Sequence, residues 1–384
     1  MKELLAIFLL FLNYSFSQET VFELLNSKET GVEFNNIIED KKEHNILLYA
    51  NYYGGGGVGI ADFDNDGLQD VYFGGNLVSD KIYKNLGDFK FADKTINSGI
   101  VDNGSWSSGI TIADVNNDGL VDIYVSKELY DDKPDLRKNK LYINKGDFTF
   151  EESSKNWGVD VSARTRHAVF FDYNNDGYLD LYLLNQPPNP GSYSKFFGAD
   201  LTLLEYSLQL FKNTGNNSFI DVTKEAGLNR TGFPNSVVAS DLNQDGFIDL
   251  YVANDFDAPD FLYYNNGDGT FSYETESSLK HTSFYSMGVD SADINNDGEL
   301  DIMVVDMTAE DNFRLKSNMS GMNPSAFWKV VENGGHFQYM FNTLQINNGD
   351  KTFSDVAQYT KTSSTDWSWA NLIADFDNDG LKDI

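Results

Sequence analysis

One short acidic pattern recurs six times along the chain and constrains its fold more than any other feature. The pattern is DxDxDGxxD, with Asn allowed at the third position, and its first copy is "DFDNDGLQD". The copies start at Asp62, Asp114, Asp172, Asp241, Asp293 and Asp375. The interval from the first copy to the second is 52 residues, a repeat length typical of propeller blades rather than of helical solenoids. The chain is therefore predicted to be a series of equivalent structural units.

A second pattern follows five of the six acidic copies in the same order. Each instance places Asn, then Gly two residues later, then Phe four residues after that, as in "IYKNLGDFKF" and "LYYNNGDGTF". Apolar and β-branched residues flank both patterns, which predicts strands on either side of an acidic hairpin loop and of an Asn-x-Gly turn. Each unit is then four strands, so the sequence predicts an all-β fold, a β-propeller of four-stranded blades.

The acidic pattern carries the donors of a calcium site. Positions 1, 3 and 5 of a tight loop direct side-chain oxygens to one point, Gly at position 6 permits the left-handed turn, position 7 offers its carbonyl, and position 9 completes the shell. Oxygen-only ligands favour Ca²⁺ over zinc or copper, which prefer nitrogen and sulfur. An EF-hand is excluded, because strands flank the loop and position 12 is apolar, as at Phe73 and Val125.

We expect about six Ca²⁺ sites, one in each loop. Four loops carry Asn at position 3 and so have one negative charge fewer, which predicts that the first loop retains calcium at concentrations that empty the second. The predicted ligands are Asp62, Asp64, Asp66, Leu68 and Asp70; Asp114, Asn116, Asp118, Leu120 and Asp122; Asp172, Asn174, Asp176, Tyr178 and Asp180; Asp241, Asn243, Asp245, Phe247 and Asp249; Asp293, Asn295, Asp297, Glu299 and Asp301; and Asp375, Asp377, Asp379, Leu381 and Asp383.

Composition and the N-terminus predict an exported protein. The formal net charge is −31, from 28 Lys and Arg against 59 Asp and Glu, so nucleic acid and anionic membranes are poor partners. Residues 1–17 combine Lys2, an apolar run and small residues, the pattern of a secretory signal peptide, and no later segment has the roughly 20 consecutive apolar residues of a membrane span. We expect residues 18–384 to lie in the periplasm, on the cell surface or in the medium. The absence of cysteine excludes disulfides and thiol catalysis.

These motifs resemble a known repeat family. The paired patterns are similar to the FG-GAP or VCBS repeats of integrin α-subunit heads. "VGIADFDNDGLQDVYFGGN" and "DWSWANLIADFDNDGLKDI" are similar to bacterial exported proteins of the cartilage-acidic-protein-like, ASPIC/UnbV-associated group. The resemblance implies a seven-bladed propeller whose loop aspartates bind calcium at one face. Because the sequence ends at Ile384, just after the sixth loop, we expect about five and a half blades here, in a propeller truncated within the sixth calcium blade.

The N-terminal segment resembles the end of a repeat. Val21–Phe34, "VFELLNSKETGVEF", is similar to the last strand and following turn in "SFIDVTKEAGL". We therefore expect this segment to complete the final blade and so to close the ring.

The longer connections fall mainly between the second and third strands of a unit. Because strand direction alternates, these connections and the links between blades are predicted to share the face opposite the acidic loops. Surface loops rich in aromatic residues, with a few Arg and His, are typical of recognition surfaces. The candidates are Trp106, Arg164, Arg166, His167, His281, Phe284, Tyr285, Trp367 and Trp369. A second interpretation packs these aromatics between blades and gives the histidines structural hydrogen bonds.

Two functions fit these features. The first is an exported, calcium-rigidified module that binds a protein or a glycan, with calcium in a structural role. The second is a polysaccharide lyase or hydrolase that uses Arg164, Arg166, His167 or His281 on the same face. No nucleophile elbow, phosphate-binding loop or HExxH motif occurs in the sequence, so no catalytic residue is assigned. The binding module is the preferred hypothesis.

Overall fold

The computed structural model describes residues 22–102, 104–187, 206–256, 258–318 and 322–384. These residues form five four-stranded antiparallel sheets. In four of them neighbouring strands are consecutive in the chain, and in the fifth two short strands lie between the second and third strands. The first strands of successive sheets contact one another, as the inner strands of propeller blades do. The predicted all-β propeller of four-stranded blades is confirmed. The predicted signal peptide lies outside the described residues.

The third strand of each blade has five residues and the fourth has three, whereas the first strands range from four to eight residues. Blade one consists of β1 (Val58–Ala61), β2 (Asp70–Phe73), β3 (Lys81–Asn85) and β4 (Phe91–Asp93). Blade two consists of β5 (Trp106–Ala113), β6 (Asp122–Glu128), β7 (Lys140–Asn144) and β8 (Phe150–Glu152). Blade three consists of β9 (Thr165–Phe171), β10 (Asp180–Asn185), β11 (Gln209–Asn213) and β12 (Phe219–Asp221). Blade four consists of β13 (Pro234–Ser240), β14 (Asp249–Asn254), β15 (Phe261–Asn265) and β16 (Phe271–Tyr273). Blade five consists of β18 (Gly288–Ala292), β19 (Asp301–Val305), β22 (Thr343–Asn347) and β23 (Phe353–Asp355).

Short elements complete the described chain. Two-residue strands pair outside the blades: β17 (Thr282–Ser283) with β21 (Gln338–Tyr339), and β20 (Met307–Thr308) with β24 (Asp366–Trp367). The helices are α1 (Ser27–Thr30), α2 (Ser154–Trp157), α3 (Thr275–Ser278), α4 (Asn312–Asn318), α5 (Pro324–Glu332) and α6 (Ala357–Thr360), with 3-10 turns at Thr95–Asn97 and Pro134–Arg137. A single bridge between Ala374 and Asp383 spans the sixth acidic loop. No helix in the described ranges is both long enough and apolar enough to cross a bilayer.

Blades two to five bury both faces of their second strands, which therefore show no alternation in burial, whereas the second strand of blade one alternates between buried and half-buried residues. All seven residues of β6 and all six of β10 are buried. Adjacent residues point to opposite sides of a strand, so Leu181 packs toward blade two while Tyr182 packs toward blade four. The core is consequently a series of layers, one between each pair of blades.

The acidic loops and the long connections lie on opposite faces, as the sequence predicts. Each acidic loop joins the first strand of a blade to the second, whereas residues 129–139 and 306–342 join second strands to third strands. A third predicted long connection, residues 188–205, lies outside the described residues. The α4–α5 insertion of blade five therefore covers the face away from the acidic loops.

The N-terminal segment packs against blade one in the way that a repeat end packs against the next blade. Gly31 has φ +78°, and a Cβ there would lie 2.5 Å from the carbonyl oxygen of Phe91. Gly99, after the fourth strand of blade one, has φ +83° and would meet Phe150 at 2.3 Å in the same way. The turn of this segment thus matches the predicted likeness to a repeat end, whereas residues 22–26, predicted as part of a last strand, form no strand. Its Phe22 ring also contacts Phe376 of the sixth loop, with centroids 5.7 Å apart, while ring closure stays a prediction.

Candidate functional site

The first aspartate of each acidic loop folds the loop around itself. In the first copy, Asp62 Oδ1 accepts a hydrogen bond from the amide of Asp66 at 3.0 Å, and Oδ2 accepts one from Gly67 at 2.7 Å. The same two bonds occur in all six copies. Position 6 needs glycine because its φ is near +90°, with Gly67 at +89°. The repeated spacing of aspartate and glycine therefore encodes one loop shape.

The aspartate at position 9 is buried at the base of the first five loops and half-buried in the sixth. Asp249 accepts the amides of Leu242 at 2.9 Å and Asn265 at 2.8 Å, one on each carboxylate oxygen. Burial raises the pKa of this carboxyl to about 7, against the opposing effect of the two amides. The pKa values of Asp122 and Asp180 are raised to about 7 for the same reason. An ionised carboxylate at this position is therefore costly unless a cation lies beside it.

Carboxylates converge in the first and the sixth loops. Oxygens of Asp62, Asp64 and Asp70 lie within 4.8 Å of one another, as do those of Asp375, Asp377 and Asp383. These are the two loops with Asp at position 3. The buried Asp64 Oδ1 has no hydrogen-bond partner among the described residues. The donors at positions 1, 3 and 9 fit a hard dication such as Ca²⁺, because they are carboxylate oxygens and one of them is otherwise unsatisfied.

The aspartate at position 5 is not brought into this group. In the first loop, Asp66 Oδ1 accepts the amide of Leu68 at 2.9 Å, and Lys84 lies 2.8 Å from Oδ2. Lys84 also forms an ion pair with Asp64, so one ammonium group contacts two of the predicted ligands. Lys212 contacts Asp176 of the third loop at 3.1 Å. The acidic pattern alone does not indicate these lysines, although both stand immediately before the Asn of the second pattern.

In the second and fifth loops the Asn at position 3 donates its side-chain amide to the aspartate at position 5, whereas Asn243 Nδ2 in the fourth loop has no partner among the described residues. Asn116 Nδ2 donates to Asp118 Oδ2 at 2.9 Å in the second loop, and Asn295 donates to Asp297 at 2.8 Å in the fifth. The side-chain amide of Asn has N–H donors as well as an acceptor oxygen. Its N–H groups therefore relieve part of the repulsion between the loop carboxylates without a cation. We therefore still expect these loops to bind calcium more weakly than the first loop does, because they have one carboxylate fewer, and this expectation stays a prediction.

The Asn of the second pattern connects each loop to the preceding blade. Asn265 donates its backbone amide to Asp249, and its side chain donates to the carbonyl of Tyr173 in the loop of blade three at 2.7 Å. Its Oδ1 accepts the amide of Gly267, which closes the Asn-x-Gly turn. Equivalent side-chain bonds to the preceding loop are made by Asn144, Asn213 and Asn347. The two sequence patterns recur together because they are bonded to each other.

Position 4 joins neighbouring loops directly. Asn65 Nδ2 donates to the carbonyl of Gly119 in the second loop at 3.1 Å, and Asn117 donates to Gly177 in the third loop at 3.1 Å. Asn175 and Gln244 continue the series with bonds of 3.0 Å and 2.7 Å. The first five loops therefore form a hydrogen-bonded chain along one face, so order in one loop constrains the next.

Part of the predicted ligand face is buried, which corrects the sequence expectation. Trp106 has no exposed surface and packs between Tyr49 and Tyr52, with ring centroids 5.9 Å and 5.3 Å away. Arg166 is 8% exposed and lies 3.6 Å from the buried Glu128. Residues 49–54, which directly precede blade one, cover these side chains. The sequence could not reveal this cover, because the covering residues are far away along the chain.

The glycine run of residues 54–57 explains how this cover fits. A Cβ at Gly54 would lie 2.7 Å from Arg166 Nη2, and one at Gly57 would lie 2.4 Å from the amide nitrogen of Ile110. Only glycine lets the backbone pass this closely. The run is a sequence signal that could have indicated a close backbone approach.

Of the remaining candidates on the predicted ligand face, some side chains are paired with acids or buried and others are exposed. Arg164 forms a bidentate pair with Asp131, and His281 Nε2 lies 3.0 Å from Asp355. Burial, with a contribution from Arg166, lowers the pKa of His167 to about 4, so this ring is neutral near pH 7. Trp367 and Trp369 are 45% and 41% exposed, as a ligand surface requires.

Phe284 and Tyr285 line a cavity beneath the blade-five insertion. The cavity has a volume of about 210 Å³ and lies between α5 and the link into blade five. Its other walls come from residues 322–340 of the insertion. The structure thus brings two of the sequence-predicted candidates into one concave site.

Comparison with known proteins identifies the repeats. The family model described as the FG-GAP-like repeat matches residues 47–125, 131–183, 241–304 and 330–384. No curated protein matches the chain.

Several solved structures are similar to this chain. An Agrocybe aegerita lectin that recognises non-reducing terminal N-acetylglucosamine is 17% identical, with a TM-score of 0.43, over 77% of this chain and 64% of the lectin. The V. cholerae biofilm matrix protein Bap1 is 14% identical, with a TM-score of 0.34, over 66% of this chain and 34% of that protein. A fructofuranosidase from Schwanniomyces occidentalis is 12% identical, with a TM-score of 0.35, over 71% and 56%. The chain thus spans less than two thirds of each of these structures, and from the match of its repeats it belongs to the FG-GAP-like repeat family.

Proposed function

We propose that this chain is an exported, calcium-binding β-propeller that serves as a binding module for a protein or a glycan. Calcium has a structural role in this proposal: it holds the acidic loops in one shape. The observation that carries the proposal is the convergence of carboxylates in the first and sixth loops, with oxygens within 4.8 Å of one another.

The energetics of the loops support bound cations. Clustered carboxylates repel one another, and burial makes ionisation of the position 9 aspartates costly. A dication offsets both costs, because it neutralises charge and replaces the water that the oxygens have lost. Since position 4 bonds join the loops, cation binding in one loop would also order its neighbours.

The opposite face supports a binding role. It carries the exposed Trp367 and Trp369 and the cavity beneath the insertion. Concave sites on loops held by a rigid scaffold are typical of recognition. The burial of Arg166 favours binding over the lyase or hydrolase alternative, because this candidate catalytic side chain is 8% exposed and lies 3.6 Å from the buried Glu128.

Calcium removal tests the structural part of the proposal. We expect exhaustive EDTA treatment to lower the melting temperature by about 5 °C or more, and calcium, but not the same ionic strength of NaCl, to restore it. A site saturated 100-fold above its Kd contributes about 2.7 kcal/mol, and 1 kcal/mol shifts the melting temperature of a large domain by about 2–4 °C. Differential scanning calorimetry measures the change.

Two matched variants separate site-specific binding from a general charge effect. Asp64→Asn removes one carboxylate from the first loop, whereas Asp88→Asn removes the same charge from an exposed turn of the same blade. We expect only the first variant to reduce the calcium-dependent increase in melting temperature. An equal response of both variants, or no response of the parent protein to EDTA, would contradict structural calcium.

Capture from the native environment tests the binding role. The immobilised chain, with calcium and with EDTA, is incubated with culture medium, and retained material is identified by mass spectrometry. Retention of an unmodified protein or glycan only with calcium supports the proposal. Release of unsaturated sugars would instead support a lyase.

A further inference from the structure

The position 4 side chains of the first four acidic loops, here named the linking side chains, each contact the next loop along the chain. Each donates its amide to the carbonyl of the glycine at position 6 of the following loop, over distances from 2.7 Å to 3.1 Å. One bond is thus repeated between four pairs of neighbouring blades. The linking side chains are Asn65, Asn117, Asn175 and Gln244.

Each linking side chain lies between two predicted calcium ligands of its own loop. Asn65, at position 4, stands between Asp64 and Asp66, at positions 3 and 5. The backbone there is left-handed, with φ +57° at Asn65 and +58° at Gln244. An ordered loop fixes the backbone on both sides of the linking side chain. The direction of that side chain, and so its bond to the next loop, therefore depends on the order of its own loop.

The acceptor of each bond belongs to a peptide group that also holds a carboxylate of the second loop of the pair. The carbonyl of Gly119 accepts from Asn65, and the N–H of the same peptide group, on Leu120, donates to Asp118 Oδ1 at 2.9 Å. One peptide group therefore contacts the linking side chain of one loop and the position 5 aspartate of the next. The amides that repeat this contact in the third, fourth and fifth loops are those of Tyr178, Phe247 and Glu299.

This shared peptide group also precedes the carbonyl that is predicted to bind calcium. The predicted ligand at position 7 is the carbonyl of the residue that supplies the shared N–H, such as Leu120. A hydrogen bond to the carbonyl of a peptide group polarises the group and strengthens its N–H as a donor. The linking side chain therefore acts on the orientation of two predicted ligands in the next loop, the carboxylate at position 5 and the carbonyl at position 7.

We propose that the linking side chains couple the calcium affinities of neighbouring loops, so that calcium in one loop strengthens calcium binding by the next. The inference deepens the proposed function and rests on it, because it concerns how calcium binding by the module is regulated. Linkage makes the coupling reciprocal, so the second loop of a pair strengthens the first by the same factor. One hydrogen bond that forms fully only when both loops are ordered accounts for about a threefold change in affinity.

Repulsion between bound cations opposes this coupling, but the two effects can be separated. Calcium ions in neighbouring loops repel each other over a distance, and salt weakens the repulsion. The hydrogen bond is short-ranged and is lost when one side chain is removed. The proposal is therefore tested by the change in affinity that follows removal of a linking side chain at constant ionic strength.

The fifth loop provides a matched control. Asn296 occupies position 4 there with φ +60°, but among the described residues its side chain makes no hydrogen bond to the sixth loop. The bonds thus join the first five loops in one series and leave out the sixth. We expect the sixth loop to bind calcium without influence from position 4 of the fifth.

Glycine NMR measures the calcium affinity of each loop separately on the whole chain. The glycine at position 6 donates its amide to the position 1 carboxylate in all six loops, as Gly119 does to Asp114 at 2.8 Å. With ¹⁵N-glycine labelling, its signal during a calcium titration therefore reports that loop.

Removal of one linking side chain should weaken the next loop. We expect Asn65→Gly to lower the calcium affinity of the second loop, read from Gly119, by about threefold, because glycine keeps the left-handed backbone but cannot donate the bond. Asn296→Gly should leave the affinity of the sixth loop, read from Gly380, unchanged. An unchanged second loop in Asn65→Gly, or an equal effect of Asn296→Gly on the sixth loop, would overturn the inference.

Two further variants test the hydrogen bond itself. Since Gln244 makes the same bond from position 4 of the fourth loop, Asn65→Gln should retain the affinity of the second loop. A loss as large as that in Asn65→Gly would overturn the role of the bond. Asn117→Gly, read from Gly177, repeats the test in an independent pair of loops, and we expect the same threefold loss in the third loop.

The same titration separates the coupling from the proposed function. If none of the six glycine signals responds to calcium, the calcium-binding function fails and the coupling fails with it. If all six respond but Asn65→Gly changes only the first loop, calcium binding stands and the coupling fails.

Discussion

At the scale of single residues, Lys84 modifies the simplest expectation for calcium binding by the acidic loops. The first loop has an extra carboxylate at position 3, which by charge alone predicts tighter calcium binding. Lys84, however, contacts both Asp64 and Asp66 and offsets that charge. Equivalent positions in blades two and five hold Ile143 and Ile346, so the cationic side chain is not required for the strand.

Replacing Lys84 should therefore tighten the first site. We expect Lys84→Ile to raise the calcium affinity of the first loop by about tenfold, since a nearby positive charge is removed from a partly buried site. The amide signal of Gly67 during a calcium titration followed by NMR reports this loop. Lys81→Ile, on the same strand but paired with Asp93, should leave the affinity unchanged. Equal effects of the two substitutions would contradict the specific role of Lys84.

At the scale of structural elements, the Asn of each third strand acts as a connector between blades. Four of these residues bond the preceding acidic loop, and each also satisfies a carbonyl of its own blade, as Asn265 does with Ile248 at 3.2 Å. The connector is a side chain, so it depends on one residue type at one position. That dependence explains why the second pattern keeps Asn while its neighbours vary.

Loss of one connector should destabilise the chain measurably. We expect Asn265→Ala to lower the free energy of unfolding by about 2–4 kcal/mol, because two buried carbonyls lose their donor. The adjacent Asn266→Ala removes an exposed side chain that bonds Thr270 and should change the free energy by less than about 1 kcal/mol. Urea denaturation compares the two variants. Similar losses at both positions would show that the connector bond is not the cause.

At the scale of the whole molecule, buried acids make stability depend on pH. Burial raises the pKa of Asp255 to about 8, and the nearby Asp306 adds to the effect. The folded state therefore holds a proton that the unfolded state releases above its ordinary pKa of about 3.9. Because the folded state binds more protons, this group contributes stability at low pH that is lost as pH rises from about 4 to about 8.

Removing the Asp255 carboxyl should reduce the loss of stability that occurs as the pH rises. We expect Asp255→Asn to reduce the loss of stability by up to about 1.4 kcal/mol per pH unit between pH 5 and pH 7. Urea denaturation in saturating calcium at several pH values provides the measurement. Asp268→Asn, on an exposed turn of blade four, should not flatten the curve. If the free energy of unfolding of Asp255→Asn declines with pH as steeply as that of the parent protein, Asp255 is not protonated in the folded protein.

The repeat pattern predicts most of the architecture because its consequences are local. Alternating side chains, glycine at position 6 and the Asn-x-Gly turn decide the strands and both kinds of turn within about 30 residues. Contacts between blades do not follow from such local patterns. Burial of Trp106 beneath Tyr49 and Tyr52, and the approach of Lys84 to the first loop, depend on how distant segments pack.

The sequence by itself determined the repeated blade, the face that carries the acidic loops and the oxygen chemistry of those loops, because backbone conformation and donor type follow from short patterns. Only the tertiary structure decided which aromatic residues stay exposed and where the insertion leaves a cavity. Those outcomes depend on the packing of residues such as Arg166 and Gly54, which are distant in the chain and meet only after the blades assemble.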